Sequence, residues 1–228
     1  MSIRVGTSGW GYPSWQPGFY PTGLDRGGFL SYYAKRLSTV ELNVTKYRLP
    51  SEEQFRSWAA QVPDGFRFAV KAPERVESRL ATFEERLRAL GDRLGCVRVV
   101  VERPRDDGYL ELLLGSVDPA IRYALDLRDP SWDDVEGRLA EAGAVRVGDT
   151  TGLAGWAYIR YRELRYDDAE LTEISTGLGQ LDRAGIETYA FFRHGDAPDA
   201  PLAALLIASG VRPGGAGDVD DGGAAVDR

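Results

Sequence analysis

Short β-rich runs alternate with stretches of helical periodicity along this chain, and that alternation limits its fold more than any other feature. Runs rich in β-branched and aromatic residues occupy positions 3–7, 39–43, 66–71, 97–101, 122–127, 144–148, 157–161 and 188–192. Between most of them apolar residues recur every three or four positions, as in Leu30, Tyr33, Ala34 and Leu37, or Leu171, Ile174, Leu178 and Leu181. A strand followed by a helix, repeated, builds a parallel sheet, because parallel neighbours need a crossover of a dozen or more residues. Eight such units predict an α/β fold of the TIM-like (β/α)8 barrel type. The competing open, doubly wound sheet would carry a Gly-x-Gly-x-x-Gly turn opening a helix. Here Gly6-Thr7-Ser8-Gly9-Trp10-Gly11 is followed by no helix start. Only residues 149–156 separate the sixth and seventh strands, so the helix between them is expected to be reduced or missing.

A chain of 228 residues suits one barrel, with residues 1–212 as a single domain and 213–228 as a flexible, acidic, Gly-rich tail. The net charge of -7 disfavours a general nucleic-acid or anionic-membrane coat, which would require a positive field. The tail contributes much of that charge through Asp218, Asp220, Asp221 and Asp227 against Arg228, so a local basic pocket remains compatible with it. The one cysteine, Cys96, lies in a β-branched run and reads as a buried, inert thiol. Without a charged-then-apolar leader or a long apolar run, the expected location is cytoplasmic, with no membrane partner.

In a parallel barrel, alternate side chains of each strand face the interior, and active sites lie at the C-terminal strand ends. With Val40, Leu42 and Val44 facing the helices, Glu41 and Asn43 point inward. The same alternation sends Lys71 inward at the end of the third strand, Asp126 and Arg128 in the fifth, and Arg160 in the seventh. Asp149 ends the sixth strand as a weaker inward candidate. Three acids, Glu41, Asp126 and Asp149, then face three bases, Lys71, Arg128 and Arg160. Buried ions are costly unless paired, so this balance reads either as a self-satisfied plug or as a polar cup for a ligand.

As a cup, Arg128 and Arg160 would hold a phosphate or carboxylate through paired N–H donors. Glu41, Asp126 and Lys71 are the candidate catalytic residues, the acids for proton transfer and Lys71 as a point charge or base. His194, after the eighth strand, is a further candidate where phosphate sites often form in barrels. One histidine and one cysteine argue against a multinuclear zinc site, and no cofactor motif is present. Trp10, Tyr12, Trp15, Phe19 and Tyr20 crowd the first loop, where they would either stack on a ligand or form a small core of their own. Asp129-Pro130-Ser131-Trp132-Asp133 reads as a helix cap.

Three motifs also carry a family resemblance. Gly6-Thr7-Ser8-Gly9-Trp10-x-Tyr12-x-x-Trp15, Thr39-Val40-Glu41-Leu42-Asn43-x-Thr45-x-Tyr47-Arg48-Leu49-Pro50 and Phe66-Arg67-Phe68-Ala69-Val70-Lys71-Ala72-Pro73 resemble the YecE-like family, domain of unknown function seventy-two. The resemblance implies a TIM-like barrel and no settled activity. It adds Tyr47 and Arg48 to the candidate ligand-binding residues, beside Asn43, Arg128, Arg160, His194 and Trp10. Asp126 stands where the family usually has Glu. Arg162-Glu163 replaces a frequent His-Gly, and Arg193-His194 a common Asn-Asn.

The leading functional expectation is a small anionic ligand at the barrel mouth, phosphate- or carboxylate-bearing with sugar-like compounds among the candidates, handled by acid/base chemistry. One alternative is a nucleic-acid-binding or phosphodiesterase protein distantly like endonuclease IV barrels, disfavoured by the shortage of histidines. The other is a non-catalytic binding protein whose inward charges satisfy one another.

Overall fold

The computed structural model describes residues 3–43, 49–74 and 76–210. Eight parallel strands form one sheet: β1 (Ile3–Ser8), β2 (Thr39–Leu42), β3 (Arg67–Lys71), β4 (Leu94–Val101), β5 (Tyr123–Leu127), β6 (Val145–Arg146), β7 (Trp156–Tyr161) and β8 (Glu187–Phe192). They run in the order β6-β5-β4-β3-β2-β1-β8-β7. The two ends of this order meet through the Gly148 N–H, which donates to the Tyr158 carbonyl at 2.8 Å, so the TIM-like barrel is nearly closed. The helices are α1 (Phe29–Ala34), α2 (Glu52–Ala60), α3 (Leu80–Leu87), α4 (Asp107–Ser116), α5 (Glu136–Glu141), α6 (Asp168–Arg183) and α7 (Asp199–Ser209). Between β6 and β7 there is no helix, as the short spacing predicts. The chain turns there through Gly148, Gly152 and Gly155, all at positive φ, and a Cβ at Gly152 would lie 2.4 Å from Ile186.

Alternation along the strands sorts side chains into two cores. Val5, Val40, Leu42, Phe68, Val70, Val97, Val99, Val101, Leu125 and Phe192 face the helices and join Phe55, Phe83, Leu110, Leu171 and their neighbours. Ala69, Cys96, Ala124, Val145, Trp156, Tyr158, Tyr189 and Phe191 fill the barrel axis as a second, smaller cluster. Small residues from β3, β4 and β5 leave room for the large rings of β7 and β8, which keeps the lumen packed rather than open. Cys96 belongs to this plug, buried, and burial pushes its thiol well up, the inert role expected of it.

Two details set the geometry of the mouth. A Cβ on Gly6 would come within 2.0 Å of the Thr39 carbonyl oxygen, so β1 approaches β2 as closely as it does only because position 6 has no side chain. The Tyr33 hydroxyl pins the same junction, accepting from the Thr7 N–H at 2.8 Å and donating to the Thr39 carbonyl at 3.0 Å. In the first loop, Trp15, Phe19 and Tyr20 are buried and stack on one another and on Phe29. They form the loop's own core, and only Trp10 and Tyr12 of the five aromatic residues reach the mouth.

Asp129 is not a helix cap. It accepts from the Ser131 backbone and hydroxyl in a tight local turn, and α5 begins at Glu136. Among the described residues no helix is long and apolar enough to cross a membrane. Residues 213–228, read as a tail, lie outside the described residues.

Candidate functional site

The C-terminal ends of the strands surround a cavity of about 810 Å³. Its lining includes Trp10 and Tyr12 after β1, Asn43 after β2, Lys71 at the end of β3, Arg128 after β5, Arg160 in β7 and His194 after β8. Seven inward or mouth-facing positions are thus brought together. Tyr47 and Arg48 lie outside the described residues.

Glu41 and Asp126 sit beneath the cavity floor and hold its cations in place. Glu41 is 0% exposed. One of its oxygens lies 2.8 Å from Nε of Arg98 and accepts the Tyr158 hydroxyl; the other lies 3.3 Å from both an Arg98 and an Arg160 terminal nitrogen. Burial would push this carboxyl up, but Arg98 and Arg160, with hydrogen bonds from Tyr158 and Asn43, hold it below its ordinary value. Asp126 accepts from Arg98 at 2.5 Å, Arg128 at 3.4 Å and Arg162 at 3.0 Å. Burial again opposes ionisation there, and the surrounding arginines outweigh it, so this carboxyl too is held down.

Arg98 joins the two acids and is itself buried, 2% exposed. The signal for it in the sequence is a lone charge inside an apolar run, Cys96-Val97-Arg98-Val99-Val100-Val101, on the parity of Cys96. Arg162 and Arg193 are further cations of the mouth, two positions beyond the inward Arg160 and Phe191. Ser8 and Trp58 complete the polar and aromatic lining. Trp58, on α2, meets Trp10 edge to face at 5.4 Å. Asp149 does not join the site. Its carboxylate is turned back on the Thr151 backbone and hydroxyl in the β6–β7 loop, beside a separate depression.

The charge pattern is therefore not the three-against-three balance that strand parity suggests. Five arginines, Arg98, Arg128, Arg160, Arg162 and Arg193, border the cavity together with Lys71. The carboxylates in contact with those arginines, among the described residues, are Glu41, Asp126 and the exposed Glu102, which meets Arg128 at 3.3 Å. Arg160 shows the shortfall most clearly. Its side chain is 11% exposed, its contact with Glu41 is shared with Arg98, and its Nε is buried without a hydrogen-bond partner among the described residues. Burial pulls its pKa down despite Glu41.

A second concavity, of about 880 Å³, opens at the opposite end of the barrel. Arg4, Arg67, Arg93 and Arg122 line it, but each is tied to Glu187, Asp64 or a backbone carbonyl. It reads as the closed bottom of the barrel, away from the strand ends where barrel sites form.

The family follows from the sequence model for proteins of unknown function DUF72, which matches residues 4–217. This chain belongs to the DUF72 family. A crystal structure of a DUF72 family protein from Thermotoga maritima is similar over 91% of this chain and 98% of that one, at 22% identity and a TM-score of 0.77. Two crystal structures of a DUF72 family protein from Enterococcus faecalis each align with 91% of this chain, covering 94% and 96% of theirs, at 16% identity and TM-scores of 0.73 and 0.71. At these identities the structural neighbours establish the barrel fold. No curated protein matches the chain.

Proposed function

We propose that this DUF72 barrel binds a small phosphate-bearing ligand in the cup at its C-terminal mouth. The observation that carries the reading is the surplus of guanidinium groups over carboxylates at the mouth. Cations gathered and partly desolvated without enough carboxylates are costly, and a bound dianion would offset part of that cost. A surplus greater than one charge suits a phosphate monoester or diphosphate better than a lone carboxylate. Arginine forks match phosphate oxygens in pairs, and Arg128 and Arg162, both near half exposed, present theirs at the mouth.

The indoles of Trp10 and Trp58 give the cup an apolar wall for the non-ionic part of the ligand, a sugar ring among the candidates. In this arrangement Glu41 and Asp126 act by orienting Arg98 and Arg160 and stay ionised. Lys71 stands at the cavity as a point charge or base toward the ligand.

The other readings draw less support. Three rings of the aromatic loop are consumed in its own core, and Arg103 and Arg105, the arginines of the loop after β4 that an oligonucleotide backbone would use, are bound to Asp106 and Asp107, which weakens the case for an oligonucleotide track. A purely self-satisfied plug would match its arginines with carboxylates, whereas five arginines border the cup and three carboxylates contact them among the described residues.

A thermal-shift series with pyrophosphate, hexose phosphates and mononucleotides tests the proposal. A ligand at about 100 times its Kd stabilises by roughly 2.7 kcal/mol, and Arg128→Ala should weaken binding at least several-fold while leaving the unfolding midpoint without ligand nearly unchanged. Failure of every phosphate compound to shift the transition overturns it. A response confined to single-stranded oligonucleotides, with a steep salt dependence, would favour the nucleic-acid alternative.

A further inference from the structure

His194 is the chain's one histidine, and so its one side chain whose ordinary pKa lies between pH 5 and 8. It borders the cup directly after β8. Its ring lies flat on Tyr12, with centroids 4.4 Å apart and planes 17° from parallel, so the imidazole is held in one plane. On one edge, Nδ1 is 3.4 Å from the Ser8 hydroxyl, which accepts the His194 backbone N–H at 3.3 Å and lies 3.4 Å from the Phe192 carbonyl. A hydroxyl that gives its single hydrogen to that carbonyl receives Nδ1–H as an acceptor, which places the lone pair of the neutral ring on Nε2. The side-chain contact of the ring with the Ser8 hydroxyl is made through Nδ1, and Nε2 lies on the opposite edge of the imidazole, on a residue that lines the cavity.

The carboxylates of the site offer no comparable group. Both oxygens of Glu41 and both of Asp126 are occupied by arginines, with Tyr158 on Glu41 as well. Tyr12 is pushed up to about 12 by burial and by Glu41, and its hydroxyl donates to the Ser8 carbonyl.

We propose that His194 is the proton-exchanging residue of the cup, presenting an open Nε2 to the ligand and taking up a proton there when a dianion binds. This inference rests on the anion-binding reading of the same cavity. The charged groups around the ring account for the switch. Burial is the largest influence lowering the pKa of the imidazole; Arg193 from the end of β8 and Arg160 from β7 act the same way, against a hydrogen bond to the Ser8 backbone in β1 and the charge of Glu41 in β2. A dianion lying among Arg160, Arg193 and His194 cancels the repulsion of the two arginines and adds an acceptor for Nε2–H. The proton comes from water, and no bond of the ligand is made or broken. The same group is then the one placed to pass a proton to or from a bound substrate.

The test uses sulfate, whose charge does not change between pH 5.5 and 8, and NMR of the single imidazole in the full-length protein. Without sulfate the ring should titrate below pH 6.5 and be protonated on Nδ1 when neutral. Saturating sulfate should raise its pKa by about one unit, and by linkage sulfate should bind up to about tenfold more tightly at pH 5.5 than at pH 8. In His194→Gln that pH dependence should flatten while sulfate still binds. Sulfate binding that is independent of pH, with an unmoved imidazole, overturns the role of His194 and leaves the anion cup standing. No binding of sulfate or pyrophosphate at either pH overturns the cup and this inference together.

Discussion

Arg98 Nε lies 2.8 Å from a carboxylate oxygen of Glu41, and both side chains are all but sealed from water. The pair links β2 and β4 over the intervening β3, and a terminal nitrogen of Arg98 also reaches Asp126 on β5. Removing one member of such a pair strands the other charge. Arg98→Met should therefore lower unfolding stability by about 3–5 kcal/mol, read by chemical denaturation. The combined Glu41→Gln and Arg98→Met variant should lose clearly less than the sum of the single changes; simple additivity would show that the two groups are not coupled.

Tyr158 supplies the hydroxyl beneath the same carboxylate. Tyr158→Phe keeps the ring in the axial plug and deletes one donor to a buried anion, a change worth about 1–3 kcal/mol. The effect should appear in stability, accompanied by a weaker response to phosphate ligands, since Glu41 positions Arg160. A variant as stable as the parent would contradict the hydrogen bond.

Gly6→Ala should be among the most damaging small substitutions. The new methyl group meets a backbone carbonyl of β2 at 2.0 Å, and neither strand can retreat without breaking the β1–β2 register and the Tyr33 hydroxyl contacts. Loss of soluble, folded protein, or a fall in midpoint of several degrees, is expected by circular dichroism. An unchanged melting curve would show that β1 is free to shift.

Stability should fall in two stages on acidification. His194 has a folded pKa below its ordinary value, so the unfolded chain binds more protons and stability declines as pH drops from about 6.5. Glu41 and Asp126 are likewise lowered, and their contribution, present above about pH 4, is lost as pH falls through their folded values. Denaturation midpoints measured from pH 8 to pH 3 should show both stages. His194→Gln should remove only the first.

How far alternation carries can be seen strand by strand. Glu41, Asp126, Lys71 and Arg160 were legible because each sits between large apolar neighbours that must face the helices, leaving the charge no other direction. Arg98 is harder to read because β4 is otherwise apolar, with Val97, Val99 and Val101 toward the helices and Cys96 in the axis, so alternation of polarity does not mark its lumen side. Asp149 departs from its strand parity for a different reason. β6 is only two residues long, and the chain turns at Gly148 before the alternation reaches it.

The order of strands and helices, the missing sixth helix and the inward set of charges were determined by the sequence itself, through periodicity, spacing and the cost of burying an ion. The charge balance of the mouth was decided only by tertiary structure. Whether a carboxylate meets one arginine or three depends on the stagger between strands far apart in the chain, such as β2, β4 and β7 around Glu41. That stagger turned an apparent balance into a cationic cup and set a single histidine at its edge, and no one-dimensional pattern contains it.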